Sequence, residues 1–283
     1  MITKKVDFIA TIEVRNANPN GDPLAGNMPR TDSKGFGLIS DVAIKRKIRN
    51  RMQDQGYEIF VKSRDRSDDN FTSLQKRYES VFNSKDSDEK VEKEFNQKWL
   101  DVRTFGQVIT YDKRSIGIRG PVSISMAKSL ETVATTTLQI TRSSNSMEAK
   151  GASGRSSDTM GSKHFIEYGV YVFYGSVNVY FSEKTGFDEK DLDVLKESLL
   201  TLFENDSSSA RPEGSMALKE LFWCTHSNKL GNVSSAKIRD LLQWEQPNPD
   251  NEIGYSDYKI TLDSEKLSEY EEKGLHVEFL EGL

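Results

Sequence analysis

Cysteine occurs once in the 283 residues, as Cys224, and histidine three times, as His164, His226 and His276. A single cysteine excludes an intramolecular disulfide and any thiolate cluster around zinc or iron and sulfur. Histidines this far apart in sequence form no metal-ligand spacing. No run approaches the roughly 20 apolar residues that cross a bilayer, and the N-terminus carries Lys4, Lys5 and Asp7 where a signal peptide would need an apolar stretch. A cytoplasmic protein without membrane contact is the expectation. Neither GxGxxG nor GxxxxGK followed by Ser or Thr occurs, which removes the usual dinucleotide and nucleotide fingerprints. The nearest run, Gly151 to Arg155, lies in a polar stretch and does not read as a strand-to-helix turn. A convergent set of acids, bases and nucleophiles is also missing. No catalytic residue, no metal ligand and no cofactor is expected.

What is present is an uneven distribution of charge. The formal net charge is -5, which argues against coating nucleic acid by bulk charge. Yet Asp41 to Arg51 holds Lys45, Arg46, Lys47, Arg49 and Arg51 against one acid, while the chain beyond Trp244 is acidic, with only Lys259, Lys266 and Lys273 to offset it. Ser40 is a natural N-cap, Asp41 suits the first turn, and Ile44 with Ile48 makes an apolar stripe. The spacing therefore predicts a helix anchored on one side and basic on the others. Charge alone leaves a solvated helix face as an open alternative to a phosphate-binding one.

Around that helix the pattern alternates between strands and helices. Val6, Phe8, Ala10, Ile12 and Val14 share one parity and predict a strand with one buried face. Asn16 to Arg30 is rich in Asn, Pro and Gly and reads as a shaped loop. Residues 62–98 are polar and read as an insertion with one helix, in which Asp86 and Glu89 form a capping box ahead of Val91, Phe95 and Trp99. Gly117 to Pro121 marks a turn or a binding edge. Residues 141–163 are poor in apolar side chains and predict a polar excursion. Tyr168 to Phe181 reads as a long strand with a bulge or bend near Gly175. Asp188 caps a helix carrying Leu192, Leu195, Leu199 and Phe203. Ala217 to Cys224 is a further strand, Ser235 caps a short helix, and Tyr255 to Leu262 and His276 to Leu280 read as terminal strands. Cys224, inside an apolar strand beside Trp223, reads as a small buried hydrophobe.

This order predicts an α+β fold: an antiparallel sheet with helices on one face, of the ferredoxin-like, RNA-recognition type. The chain is expected to form a single composite domain over residues 1–283, with an inserted helical segment at 62–98 and an excursion at 141–163. The aromatic signature with which such sheets stack bases is absent. Contact with single-stranded RNA is then expected from loops and the basic helix. There Lys45, Arg46 and Arg49 can meet neighbouring phosphates, and Arg119 and the cations of the excursion can extend the track.

Three blocks carry a family resemblance: Asn18 to Pro23, Gly26 to Arg30, and Ser40 to Arg49. Asp101 to Gly106, Gly117 to Val122 and Ser209 to Gly214 continue it. The chain resembles the backbone subunit of CRISPR-Cas Cascade complexes of type I-C. The resemblance implies an RNA-recognition-type fold modified by inserted fingers and a protruding thumb, for which 141–163 is the candidate. It also implies a helical filament of adjacent copies along guide RNA (crRNA), target DNA pairing with that guide, other Cascade subunits, and a separate recruited nuclease-helicase. The candidate RNA contacts are Asn18, Asn20, Lys45, Arg46, Arg49, Arg119, Arg142, Lys150, Arg155, Lys163 and Arg211. Two alternatives stay open: a metal-dependent RNA endonuclease using Asp22 or Asp32, and a nonspecific single-stranded nucleic-acid-binding protein.

Overall fold

A computed structural model describes residues 1–141, 160–248 and 253–283. Strand β1 (Val6–Ala17) is followed by the Asn- and Pro-rich loop, which folds into a two-residue ladder of β2 (Gly21–Asp22) against β3 (Met28–Pro29). Strand β4 (Phe36–Ile39) then leads into helix α1 (Asp41–Asp54). Ser40 Oγ accepts from Ala43 N at 3.3 Å, so the expected cap is in place. Ile44, Ile48 and Met52, four residues apart, bury one face of α1.

The 62–98 stretch holds two helices, where one was expected: α2 (Leu74–Glu79) and α3 (Asp88–Lys98). The N-cap of α3 is Ser87, whose side chain accepts from Lys90 N. Asp86 instead binds Asn83 N and Lys90 Nζ. Helix α4 (Leu100–Phe105) and a ribbon of β5 (Gly106–Ile109) with β6 (Ile116–Arg119) complete this part. It has its own aromatic core of Phe60, Tyr78, Phe82, Phe95 and Trp99. Low mean hydropathy hid that core, because its apolar residues are few, large and widely spaced.

Next come β7 (Val122–Ile124), β8 (Ala127–Thr132), β9 (Thr135–Thr141) and the long β10 (Met160–Val177). The long strand ends earlier than its hydrophobic pattern suggested, because Asn178 caps helix α5 (Val179–Thr185) and places Phe181 on a helix. Nor does β10 bulge at Gly175: its ladder with β1 runs through Phe8↔Gly175 unshifted. The glycine is there for room, since a Cβ would lie 2.0 Å from Phe8 Cζ. The register of β1 shifts instead on its other side, against β11 between Ala10 and Ile12, where Thr11 Oγ1 accepts from Glu220 N at 3.0 Å.

Helix α6 (Glu189–Leu200) has the expected Asp188 cap, closed into a capping box by Asp191. Strand β11 (Met216–His226) follows, then α7 (Ser235–Arg239), capped by Ser234 rather than Ser235. The C-terminal part holds β12 (Leu242–Gln243), β13 (Thr261–Leu262), α8 (Ser264–Glu272) and β14 (Leu275–Glu281). Tyr255 to Tyr258, expected as strand, is a 3-10 turn. Its tyrosines reach back to the sheet: Tyr255 Oη lies 2.6 Å from Thr11 Oγ1, and Tyr258 Oη donates to Glu131.

The main sheet is antiparallel, in the order β14-β11-β1-β10-β8-β4, with β7 and β9 also pairing with β10. The fold is mixed α+β, a large antiparallel sheet with flanking helices. Val6, Phe8, Ala10, Ile12 and Val14 pack with the apolar faces of α1 and α6. Contrary to the single buried face expected of β1, its second face is covered too. Ile9 joins Phe222, Cys224, Ile238, Leu241, Leu262 and Val277 under the C-terminal segments. Polar residues on that face are bonded: Asp7 to Lys5 and His226, and Glu13 to Arg15 and Tyr168. Burial pushes the Cys224 thiol up to about 12, as befits a core residue. Among the described residues, no helix is long and apolar enough to cross a membrane.

Candidate nucleic-acid interface

The C-terminal end of β1 delivers the Asn- and Pro-rich loop to the N-terminal half of α1, and the two are tied together. Asn20 Oδ1 accepts from Ser40 N at 2.9 Å, so the loop braces the helix cap. Asn18 is 2% exposed; its amide donates to Asn27 O at 2.7 Å, and its backbone N–H donates to Ala210 O. That last bond brings in the 205–211 loop, where Ser208 and Arg211 form a bridge.

Between these pieces lies a cleft of about 370 Å³ lined by Asn20, Arg46, Lys47, Asn50, Arg66 and Arg211, with Asp65 and Asp206. Four cations thus face two carboxylates in one concavity. Each cation is held in place. Arg46 donates to Val61 O at 2.5 Å, and Arg66 to Asp54 Oδ1 at 2.5 Å and Asn205 O at 2.7 Å. Lys47 pairs with Asp206, which also lies 3.6 Å from Arg211 Nε. Burial, then the neighbouring Arg49, pulls the Arg46 guanidinium below its ordinary value. Burial likewise pulls the Lys47 ammonium down, against the opposing pull of Asp206. Arg46 and Lys47 are thus partly desolvated cations fixed on one face of α1, in a cleft with more side-chain cations than carboxylates.

The sequence candidates divide by position. Asn20, Arg46 and Arg211 meet in the cleft. Lys45 pairs with Asp41 at 3.1 Å, one turn back on α1. Arg49 Nε donates to Asp101 Oδ2 at 2.9 Å, and its guanidinium sits over the Phe105 ring. Arg119 lies apart on the β5/β6 ribbon, over Phe181. Lys163 is on β10 opposite Leu138 of β9. Arg142, Lys150 and Arg155 fall outside the described residues. Sequence reasoning missed Arg66 and Asn50 as cleft residues. Asn50 was legible in principle, because it lies four residues after Arg46 and so shares its helix face. Arg66 arrives from the insertion, which no local pattern connects to α1.

The acids considered for cleavage are engaged locally. Asp22 accepts from Leu24 N at 3.1 Å and lies 3.5 Å from Arg30; Asp32 accepts from Lys34 N, Phe36 N and Lys128 Nζ. Among the described residues no group of three His, Cys, Asp or Glu side chains is placed to hold a metal ion.

Residues 4–263 match the family model described as CRISPR-associated protein Cas7. A curated CRISPR-associated protein Cas7 from Haloferax volcanii is 26% identical over 223 residues, covering 72% of this chain and 65% of that protein's length. Two solved chains are similar: one from a CRISPR RNA-guided surveillance complex in a pre-nicking state (16% identity, TM-score 0.49, covering 78% of this chain and 75% of that one), and one from a CRISPR RNA-guided surveillance complex (17% identity, TM-score 0.46, covering 78% and 68%). With the family match running from residue 4 to residue 263, the chain belongs to the Cas7 family of CRISPR-associated proteins.

Proposed function

We propose that this chain is a backbone subunit of a Cascade-type surveillance complex, of subtype I-C, that binds crRNA without regard to sequence and assembles along it into a filament. The observation that carries this reading is the cleft in which Arg46, Lys47, Arg66 and Arg211 converge, within a chain matching the Cas7 model almost end to end. Phosphates present acceptors only, and a receptor built from side-chain cations and a helix face reads them without reading bases. Asn20 shapes this receptor through the Ser40 cap, and Arg49 holds α1 against α4.

In this reading the core is of the ferredoxin-like, RNA-recognition type. The sheet order β11-β1-β10-β8, with α1 and α6 packed on one face, supports that assignment. The 62–98 segment serves as fingers. Residues 141–163 are assigned as the thumb, with Arg142, Lys150, Arg155 and Lys163 as its guide contacts; the described residues that flank it, β9 and the start of β10, pair with each other and are largely exposed. Arg119, exposed on the β5/β6 ribbon, extends the track. The partners are crRNA, adjacent copies, other Cascade subunits and, through the guide, target DNA, with cutting left to a separate nuclease-helicase; the setting is the cytoplasm.

The test is RNA binding by the Arg46→Ala/Arg211→Ala variant across a salt series. Affinity should fall equally for unrelated sequences, and the slope of log K against log salt should shrink by roughly 0.7 for each phosphate that is no longer neutralised. An unchanged slope in a folded variant would remove the cleft from the guide path.

A further inference from the structure

The cations of the cleft have carboxylate or carbonyl partners within the fold, whereas two cations outside it do not. Arg119 ends the exposed side of β6, and Lys184 lies, also exposed, in the last turn of α5. Both face one ring: the Arg119 guanidinium lies 5.0 Å and the Lys184 ammonium 5.9 Å from the centroid of Phe181. Among the described residues no carboxylate forms an ion pair with either, and Glu183, the acid next to Lys184 in sequence, is taken by Lys229. A ring attracts a cation by its face but leaves the N–H donors to solvent. Two cations are thus gathered at one ring with their donors unspent.

The ribbon beside them is bare. Gly106 pairs with Arg119 and Val108 with Gly117, so these four share one side, while Ile109, Ile116 and Ile118 turn the other into the aromatic core. On the outward side a Cβ at Gly117 would meet nothing within 4 Å, and Val108 is 63% exposed. A line of neighbours leads here from the cleft. Lys45, next to Arg46 on α1, lies 5.9 Å from the centroid of the Phe105 ring, and Phe105 runs into Gly106. Neither Arg119 nor Lys184 lines the cleft itself. Resting on the RNA-binding reading above, we infer that Lys184 joins Arg119 in a second phosphate site, reached by the strand as it leaves the cleft and crosses the bare side of the β5/β6 ribbon. Phosphate oxygens accept from the donors that the fold leaves unspent. Cations interleaved with Phe105 and Phe181 make a surface that tracks a single strand without reading its sequence.

The experiment measures binding of oligouridine of about sixteen nucleotides, the upper end of a single-strand site, by the full-length chain across a salt series. Arg119→Gln/Lys184→Gln keeps apolar stems at the Phe181 ring and removes both charges. The slope of log K against log salt should shrink by at least roughly 0.7, the share of one phosphate. Combined with Arg46→Ala/Arg211→Ala, the two losses of slope should add. Gly117→Leu keeps every charge but puts bulk on the bare side of the ribbon, and should weaken binding severalfold. Denaturant midpoints of the glutamine variant should match wild type, since both side chains are exposed and bound to no acid. A wild-type slope and affinity in the glutamine variant overturn the inference; the phosphate reading of the cleft then stands if the cleft variant still lowers the slope. A glutamine variant that binds RNA normally but sediments differently shows a contact with another copy of the chain and also overturns it. So does a slope change that comes with a lowered midpoint and is not matched by weaker binding in Gly117→Leu, which gives the two cations a structural role. No effect from either the glutamine or the cleft variant removes both readings.

Discussion

Arg49 of α1 and Asp101 of α4 are joined by a hydrogen-bonded ion pair, Nε to Oδ2 at 2.9 Å, with the aspartate fully buried. The same carboxylate accepts from Phe60 N at 2.7 Å and Val61 N at 3.1 Å. One side chain thus ties the basic helix to the start of the insertion and explains why two sequence blocks far apart in the chain belong together. Two positions on, Arg103 makes a paired contact with Asp191 of the α6 capping box, at 2.8 and 2.9 Å.

Asp101→Ala should therefore be severe. It strands a guanidinium and two backbone donors, and a buried pair broken from one side costs about 3–5 kcal/mol. Urea unfolding would measure this. In a double-mutant cycle with Arg49→Ala, a coupling energy near zero would show that the two side chains act independently. By contrast with Arg46→Ala, Arg49→Ala should lower stability without changing the salt slope of RNA binding.

The buried Asp7 sets an acid limit on the fold. Burial favours its neutral form, but hydrogen bonds from His226, Lys5 and Ser235 outweigh that and hold its carboxyl below 3.8. A carboxylate with a depressed folded pKa stabilises fully above its unfolded value. The contribution is lost as pH falls below about 3.9 and through the lower folded value. Asp7→Asn should thus be less stable at pH 7 and show a flatter stability profile below pH 4, read by denaturant midpoints across that range. A wild-type profile in the variant would assign acid unfolding to other groups.

Two glycines of one motif should respond oppositely to alanine. At Gly120 a Cβ would lie 2.4 Å from Thr104 O and 2.5 Å from Gly106 N, backbone atoms that cannot step aside. At Gly117 nothing lies within 4 Å. Gly120→Ala should cost at least about 1–3 kcal/mol, the range for overpacking, and Gly117→Ala should stay within about 0.5 kcal/mol of wild type. Thermal unfolding of the two variants decides it, and equal destabilisation would refute the packing argument.

The sequence by itself determined what local chemistry can fix. Ser40, Asp188 and the apolar spacings of α1 and α6 set those helices because a cap and a stripe act within one or two turns. Alternation placed β1 and β11, and the Asn- and Pro-rich composition placed the loop. Local pattern failed where an element's fate depended on what covers it. The second face of β1 is buried by residues more than 200 positions away, so Ile9 reads as core only once the C-terminal segments are in place. Gly175 looked like a break in alternation, but Phe8 on the partner strand occupies the missing side chain's space. The cleft shows the same division. Arg46 and Lys47 were legible as a basic run, while Arg66, Asp206 and Arg211 join them only through folding. Whether a cation braces the fold or faces a ligand depends on which carboxylate the tertiary structure brings beside it, and that partner is distant in sequence for Arg49 and Lys47 alike.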